Sequence, residues 1–395
     1  MVPSNEGVFI TTPFTTLDHF SSIRTSAMRV TLLIPLLLYF SPTCWYDPLH
    51  MHLYGCIVYL LVIWCRVVET SLLDPAAICP SIPGLTSRQV RYCQSYPWIM
   101  NSIQRALESA REQCTNQFSR YGGTRWNCST SNSDSVFKPI LRAATKEAAF
   151  AWAITAAGVV AGVARDCKMN LLKECGCRRG DNPKSVKKTT GEQEDWEGCS
   201  DDVMLGNIQA KKYIRASIIP KENVDFLAIH NAEVGRRFVR RMVSKECKCH
   251  GVSGSCALRT CWTEVPDMKS VGDALRTKYE KAERVNVVDG ADRKRNKKLE
   301  LTSEGNATPK RNDLVYEDTS PPYCSHNSLH FYLGTEGRSC NVTSALPDGC
   351  RHLCCGRGYD KEKYKEEYAC ECEFEWCCRV VCQTCTREIV KYVCK

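Results

Sequence analysis

The sequence predicts an α+β protein, with an α-helical N-terminal domain followed by a small cysteine-rich C-terminal domain built on a β-hairpin. Three observations support this fold class. The chain has 27 cysteines among 395 residues, a number that indicates a disulfide framework in an oxidising compartment. Apolar residues recur at helical spacing in the first half. The last cysteines nest in pairs, as they would across a hairpin.

The first 78 residues are expected to be a signal segment that is removed at least in part. Two apolar runs, 30–40 and 56–64, are each shorter than the roughly 18 residues of a spanning helix. Both have the length of a signal-peptide core, and the true start codon stays open because Met51 precedes the second run. Removal of the segment leaves 24 of the 27 cysteines, an even number, as a fully bridged secreted chain prefers.

These 24 cysteines divide equally, with twelve before residue 262 and twelve after residue 323. Equal and even sets indicate that each half closes its own bridges. Between them, residues 286–323 are rich in charged and polar side chains and are predicted to form a basic linker. The predicted domains are therefore a helical domain over 79–285 and a cysteine-rich domain over 324–395.

Three helices are predicted in the first domain. The first places Ile99, Ile103, Leu107, Ala110 and Cys114 on one face. The second is expected to start near Ser135, with Pro139 in its first turn, and to continue through the uncharged residues 148–164. The third covers 224–243.

A membrane span is the alternative for residues 148–164. This segment has only seventeen residues, many of them alanine and glycine, and is therefore short and weakly apolar for a span. Small residues let neighbouring helices approach closely. The segment is therefore predicted to be the buried central helix of the domain.

Index sums predict the hairpin in the second domain, because facing residues of an antiparallel pair have a nearly constant sum. The sums are 755, 754 and 755 for Cys370 with Cys385, Cys372 with Cys382, and Cys377 with Cys378. The predicted tip is therefore Cys377 and Cys378, with Trp376 beside it. Adjacent Cα atoms lie only about 3.8 Å apart, below the usual disulfide range. Spacing alone leaves free thiols or other partners open for this innermost pair.

The net charge of +9 fits an extracellular polyanion better than nucleic acid, because disulfides and glycosylation sequons place the chain in the secretory pathway. Asn306 and Asn341 are the expected glycosylation sites. Asn127 also fits the sequon, but Cys128 is expected to be bridged and the site poorly used. The basic groups at 293–295 and 297–298 are interpreted as a solvated linker, with heparan sulfate binding as the second interpretation.

Six motifs together resemble the Wnt family of secreted signalling proteins. They are "TRWNCS" (124–129), "KEAAFAWAITAAGV" (146–159), "WEGCSDD" (196–202), "CKCHGVSGSCALRTCW" (247–262), "DGCRHLCCGRGYD" (348–360) and "CECEFEWCCRVVCQTC" (370–385). The resemblance extends from about Cys79 to the end of the chain. It implies a secreted morphogen that acts in development, is not an enzyme and holds no metal ion.

The resemblance also implies the functional sites. Ser253 is expected to carry an O-linked palmitoleoyl group, added in the endoplasmic reticulum by the acyltransferase Porcupine. The helical half would form a disulfide-bonded "thumb" hairpin whose lipid enters the cysteine-rich domain of a Frizzled receptor. The cysteine-rich half would form an "index finger" that contacts the opposite side of that domain. The expected receptor-binding residues are Val252, Ser253, Phe374, Trp376, Cys377, Cys378 and Val380.

The resemblance implies further partners and bridges. The partners are the carrier Wntless and a low-density-lipoprotein-receptor-related co-receptor, and the only attached groups are the palmitoleoyl chain and N-glycans. It implies bonds Cys247–Cys261 and Cys249–Cys256 in the thumb and a vicinal Cys377–Cys378 bond at the fingertip, while the pairing of Cys79 with Cys93 stays open. The other cysteines expected in bridges are Cys114, Cys128, Cys167, Cys175, Cys177, Cys199, Cys324, Cys340, Cys350, Cys354, Cys355, Cys370, Cys372, Cys382, Cys385 and Cys394.

Two other classes of function compete with this interpretation. A hydrolase would use Ser253 with His250, but a nucleophile elbow requires glycine two residues after the serine, where this chain has Ser255. A structural matrix protein fits the composition equally well. In that case Ser253 would be an ordinary turn residue, since glycine and serine are common in turns.

Overall fold

The computed structural model describes residues 75–82, 84–120, 124–128, 143–177, 194–218, 222–289, 297–303, 307–327 and 332–395. Residues 1–74 of the predicted signal segment, the basic group at 293–295 and Asn306 lie outside these residues, whereas residues 75–78 begin a short 3-10 helix, Pro75–Ser81. All described residues belong to one compact unit, Leu73–Lys395.

The described residues contain seven α-helices, six of them in the helical half. They are α1 (Ser87–Ser95), α2 (Met100–Arg120), α3 (Lys146–Lys168), α4 (Val203–Ser217), α5 (Glu222–Arg241), α6 (Met268–Glu280) and the short α7 (Cys350–Leu353).

Nine strands in the described residues form three small sheets. The strands are β1 (Glu194–Glu197), β2 (Ser244–Cys249), β3 (Leu258–Glu264), β4 (Glu283–Asp289), β5 (Lys297–Leu301), β6 (Val315–Tyr316), β7 (Ser339–Cys340), β8 (Tyr359–Glu375) and β9 (Arg379–Cys394). The strand orders are β1-β3-β2, β5-β4-β6 and β7-β9-β8.

The alanine-rich helix α3 forms the centre of the helical half, as the sequence predicts. It packs against α2, α4, α5 and α6. Among the described residues it is the one helix long and apolar enough to cross a membrane, yet 94% of its most apolar stretch is buried inside the protein. Its apolar surface is therefore covered by neighbouring helices, so α3 is a core helix.

The predicted start of this helix near Ser135 is wrong. Residues 143–145 are not helical, and the hydroxyl of Thr145 accepts a hydrogen bond from the backbone N–H of Ala148 at 3.3 Å. Thr145 has an extended backbone and is the N-cap, so the helix begins at Lys146. Ser135 and Pro139 lie outside the described residues.

Much of the predicted linker folds against the helical half. Strand β4 pairs antiparallel with β5 and parallel with β6. Val285, Leu299 and Val315 are buried and pack with Leu227 of α5. The linker prediction missed these strands because it rested on average polarity, whereas apolar residues alternate with charged ones in β4 and β5.

Each half closes its own disulfide bonds. The six bonds of the helical half are Cys79–Cys93, Cys114–Cys128, Cys167–Cys175, Cys177–Cys199, Cys247–Cys261 and Cys249–Cys256. The five of the cysteine-rich half are Cys324–Cys355, Cys340–Cys350, Cys354–Cys394, Cys370–Cys385 and Cys372–Cys382. Cys79 is therefore bonded to Cys93, a pairing that the sequence left open.

Two arginines join the halves by reciprocal hydrogen bonds. Arg338 in the cysteine-rich half donates to the carbonyl oxygens of Arg125 and Thr124 at 2.7 and 3.0 Å. The guanidinium of Arg125 in turn donates to the carbonyl oxygen of His352. These bonds connect the base of the long hairpin to the loop closed by Cys114–Cys128.

Candidate functional site

Ser253 lies at the tip of a hairpin formed by β2 and β3, which we call the Ser253 loop (residues 244–264). The two strands are antiparallel, and Cys247 faces Cys261 directly, with 4.1 Å between their Cα atoms. Cys249–Cys256 closes the loop nearer the tip. Both bridges therefore restrict the same short turn.

The turn presents Ser253 and Val252 to solvent. Val252 is 91% exposed, and Ser253 is exposed beside it. Ser253 has a left-handed backbone, with φ 58° and ψ 26°, a conformation that costs an L-residue about 1 kcal/mol. Backbone hydrogen bonds from Gly251 to Ser255 and from Gly254 to Gly251 hold this conformation. The serine hydroxyl therefore projects from a fixed turn.

The two glycines of the turn serve different purposes. Gly254 has φ +78°, and a Cβ atom there would meet no other atom within 4 Å, so glycine relieves backbone strain at this position. A Cβ atom at Gly251 would instead overlap the hydroxyl and carbonyl oxygens of Ser255. Gly251 therefore permits the close approach that shapes the turn.

The base of the loop is fixed to the helical core. The carboxylate of the buried Asp201 accepts a hydrogen bond from the backbone N–H of Val265 at 2.7 Å. The backbone N–H of Asp201 donates to the carbonyl oxygen of Thr263. Lys168 at the end of α3 lies 3.7 Å from the Asp201 carboxylate and over the ring of Trp262. These contacts fix strand β3, and through it the direction in which the tip projects.

His250 does not pair with Ser253 in the structure. Its Nε2 atom lies 3.0 Å from the hydroxyl oxygen of Thr260, on the facing strand. A histidine that acts as a general base must reach the serine hydroxyl. The geometry therefore gives no support to a hydrolase.

The tip of the second hairpin, formed by β8 and β9, is an exposed apolar surface. Trp376 is 94% exposed, Phe374 is 70% exposed and Val380 is 61% exposed. Phe374 and Val380 face each other across the strands. The sequence analysis did not select Val381, which is 39% exposed and faces Glu373. Strand alternation alone could not distinguish it, because both faces of this ribbon are solvent-exposed near the tip.

The hairpin register differs from the one that index sums predict. Cys370 faces Gln383, a sum of 753, and Glu375 faces Arg379, a sum of 754. An irregularity between Cys370 and Glu373 shifts the register by one. The tip is consequently a three-residue turn of Trp376, Cys377 and Cys378.

The vicinal bond implied by the resemblance is absent from the structure, where Cys377 and Cys378 are exposed free thiols. Both residues have positive φ, 76° and 83°. The distance between neighbouring Cα atoms, about 3.8 Å, lies below the range in which disulfides form without strain. Free thiols are the alternative that spacing had left open.

Of the two expected glycosylation sites, only Asn341 lies in the described residues. Its side chain is exposed, and its oxygen accepts hydrogen bonds from the N–H and hydroxyl of Thr343. Cys128, beside Asn127, is buried and bonded to Cys114.

Comparisons with known proteins show which family the chain belongs to. A sequence model described as "wnt family" matches residues 81–395. The chain is 39% identical over 338 residues to "Protein Wnt-5a" of Ambystoma mexicanum, covering 84% of this chain and 90% of that protein. It is 38% identical over 335 residues to "Protein Wnt-5b" of Mus musculus, covering 83% and 90%.

A solved structure shows the same fold. In "Human WLS in complex with WNT8A", a chain of 30% identity superposes with a TM-score of 0.52, covering 76% of this chain and 95% of that chain. The family match spans most of the sequence, and the relatives are signalling ligands rather than enzymes. The chain therefore belongs to the Wnt family of signalling ligands.

Proposed function

We propose that the chain is a secreted, palmitoleoylated Wnt morphogen that binds the cysteine-rich domain of Frizzled receptors. The observation that supports this most directly is the exposure of Ser253 at the tip of a doubly bridged turn. An acyltransferase such as Porcupine must reach the serine hydroxyl, and a receptor must later reach the attached chain. Because two disulfide bonds already hold the turn in one conformation, neither binding event has to order it, and this entropy cost is avoided.

The energetics fit a lipid as the main contact. Burying about ten methylenes in a receptor groove contributes roughly 8 kcal/mol before the costs of association. A single acyl chain by itself attaches a protein to a membrane only marginally and reversibly. A ligand with one such chain can therefore leave a membrane and still bind tightly to a protein groove.

The second receptor contact in this proposal is the hairpin tip at Trp376, Phe374 and Val380, with Val252 beside the lipid on the first loop. Large exposed aromatic side chains are the residue type most often found at the centre of binding interfaces. Because 94% of the Trp376 side chain is exposed, it buries too little surface to stabilise the fold. This exposure favours a contact with a partner.

The remaining partners follow from the family. The WNT8A complex with WLS supports Wntless as the carrier of this chain during secretion. A low-density-lipoprotein-receptor-related protein is the proposed co-receptor, and heparan sulfate the proposed matrix partner. N-glycans on Asn306 and Asn341 complete the secreted form.

Replacement of Ser253 by alanine tests the central proposal. Ser253→Ala should remove the acyl group, abolish signalling and reduce binding to the Frizzled domain by at least about a thousandfold, since several kcal/mol of apolar burial is lost. The matched control is Ser255→Ala, which removes a second exposed hydroxyl from the same turn. Mass spectrometry of the unreduced 249–259 peptide and receptor-binding assays measure both effects. Normal signalling by Ser253→Ala would refute the proposal.

A further inference from the structure

A short segment before the cysteine-rich half, residues 311–315, lies against helix α5, and we call it the strap. Its last residue, Val315, belongs to strand β6, which pairs parallel with β4. Leu314 and Val315 are buried. The carbonyl oxygen of Leu314 accepts a hydrogen bond from the backbone N–H of Glu283 in β4 at 2.9 Å. The strap therefore joins the β5-β4-β6 sheet to the helical half.

Two neighbouring side chains of α5 hold the backbone of the strap. The amide of Asn231 donates to the carbonyl oxygen of Val315 at 2.9 Å and accepts from the N–H of Val315 at 3.0 Å. The Nε2 atom of His230 lies 2.9 Å from the carbonyl oxygen of Asp313. A carbonyl oxygen only accepts, so Nε2 carries the proton and donates it in this contact. In neutral His230 the other ring nitrogen, Nδ1, is then without a proton.

Charged groups of α5, the strap and α6 lie around His230. Glu233 and Arg237 are both on α5, and their side chains approach to 3.5 Å. Asp313 is on the strap, and its carboxylate accepts a hydrogen bond from Lys278 of α6 at 2.8 Å. Each nearby acid is therefore already engaged by at least one cation.

These surroundings disfavour a charged imidazole while the strap is closed. Burial and the charge of Arg237 lower the pKa of His230, against the opposing effects of the hydrogen bond to Asp313 and of the charges of Asp313 and Glu233. When the strap moves away, water reaches the ring and its pKa returns toward the ordinary 6.5. The open state binds the proton more tightly than the closed state, so acid favours opening. The closed contact therefore has its full stability above about pH 6.5 and weakens as the pH falls below that value.

We propose that His230 is a pH-sensitive latch, whose protonation at mildly acidic pH releases the strap from helix α5. One histidine changes the opening equilibrium by at most about tenfold per pH unit. Asn231 does not titrate, so its two bonds to Val315 stabilise the closed strap at every pH. The latch therefore changes local opening of the strap and its sheet rather than the folding of the whole helical half. The proposed secreted function supplies the setting, since secretory and endocytic compartments are acidic.

Hydrogen exchange of the secreted full chain, measured by mass spectrometry at pH 7.5 and 5.5, tests the latch. Exchange times are scaled for the intrinsic pH dependence of amide exchange. We expect amides of 283–289 and 311–316 to open about tenfold more often at pH 5.5, one unit below the ordinary pKa of histidine. Amides of helix α3 are the internal reference and should not change. Equal acceleration in α3, or no acceleration in the strap, would overturn the proposal.

Substitution of the histidine identifies the titrating group. His230→Gln retains an N–H donor for the carbonyl of Asp313 but carries no titratable ring, so the strap should open equally often at both pH values. The matched control is His326→Gln, which removes an exposed histidine outside the strap and should keep the wild-type response. A pH response that persists in His230→Gln, or that disappears in His326→Gln, would assign the effect to another group and refute the latch.

A second variant tests the latch if His230→Gln is not secreted. Lys278→Gln leaves the Asp313 carboxylate without its cation, so the closed strap accepts a proton on His230 more readily. The increase in opening between pH 7.5 and 5.5 should fall from about tenfold to about threefold. An unchanged or larger increase would contradict the proposal.

Receptor binding gives a separate result. Affinity for the Frizzled domain at neutral pH should be unchanged in His230→Gln, because the strap is closed in both proteins at that pH. Conversely, Ser253→Ala should keep the wild-type pH response of the strap. Failure of the receptor proposal and failure of the latch are therefore distinguishable.

Discussion

At the scale of single residues, the shape of the Ser253 turn depends on the space beside Gly251. Gly251→Ala would force a methyl group against the oxygens of Ser255, and overpacking of this kind costs about 1–3 kcal/mol. Gly254→Ala is the matched control, because it adds the same methyl group at a position that has room for it and costs only about 1 kcal/mol of backbone strain.

We expect Gly251→Ala to lower the acylated fraction of secreted protein severalfold, while Gly254→Ala retains most of it. Mass spectrometry of the unreduced 249–259 peptide gives this fraction directly. Equal acylation of the two variants would mean that the enzyme tolerates a distorted turn and that the close approach at Gly251 is unimportant.

Sequence motifs located the residues at the tips of both hairpins but not the residues that hold the hairpins in place. Ser253 and Trp376 stand within motifs rich in cysteine, so a resemblance to a family could assign them by number. Asp201, which anchors β3, lies 43 residues before the first residue of the loop, Ser244. Such contacts between distant segments depend on tertiary packing, which no local spacing reports.

Among the supports that the sequence did not reveal is the buried carboxylate of Glu147 at the start of α3. It accepts hydrogen bonds from the hydroxyl groups of Tyr279, Tyr323 and Ser320 at 2.6–3.0 Å. Burial, with the charge of Glu147, raises the pKa of both tyrosines, so both stay protonated and continue to donate. This network attaches the segment before the cysteine-rich half to the central helix.

At the scale of elements, the proposed receptor contact at the β8–β9 tip can be tested separately from stability. Trp376 is almost wholly exposed, so Trp376→Ala should leave the melting temperature unchanged while weakening binding to the Frizzled domain by about 2 kcal/mol or more, roughly thirtyfold. Leu346→Ala, which truncates another exposed apolar residue of the same half, is the control. Unchanged affinity for Trp376→Ala, measured on acylated protein, would place the second receptor contact elsewhere.

Elements with a strong repeating pattern were predictable, and elements with short or interrupted patterns were not. Helix α3 has a long run of small apolar residues, and its central position followed from that run. Strands β4 and β5 have five to seven residues each, within a stretch whose average composition is polar. Index sums placed the tip of the long hairpin to within a residue, but they assume a regular register and so could not include the bulge before Glu373.

At the scale of the whole molecule, the proposed binding of one receptor domain by both hairpin tips requires a fixed distance and orientation between the two hairpins. Arg338 contributes to that geometry through its bonds to the carbonyls of Thr124 and Arg125. Burial lowers the pKa of Arg338. A partly buried charge is costly unless it is hydrogen-bonded, and the two carbonyl oxygens supply such bonds.

Arg338→Gln should therefore destabilise the contact by about 2 kcal/mol, because the carbonyls lose a charged donor. Hydrogen exchange should accelerate in residues 124–128 and 338–341, and receptor affinity should fall even though neither hairpin tip is altered. Arg125→Gln should have a smaller effect, because the hydrogen bonds from Arg125 to His352 are solvent-exposed, whereas those of Arg338 are partly buried. Unchanged exchange in Arg338→Gln would show that other contacts fix the two halves.

The division of the disulfide bonds between the halves also simplifies the problem of oxidative folding. The twenty-two bonded cysteines, if they paired freely, would have on the order of 10¹⁰ complete pairings, whereas separate sets of twelve and ten have about 10⁴ and about 10³. The N-terminal set emerges from the ribosome first, and domains generally fold as units in that order. All six of its bonds join cysteines within that set. The order of synthesis thus removes most wrong pairings before the second set of cysteines has been made.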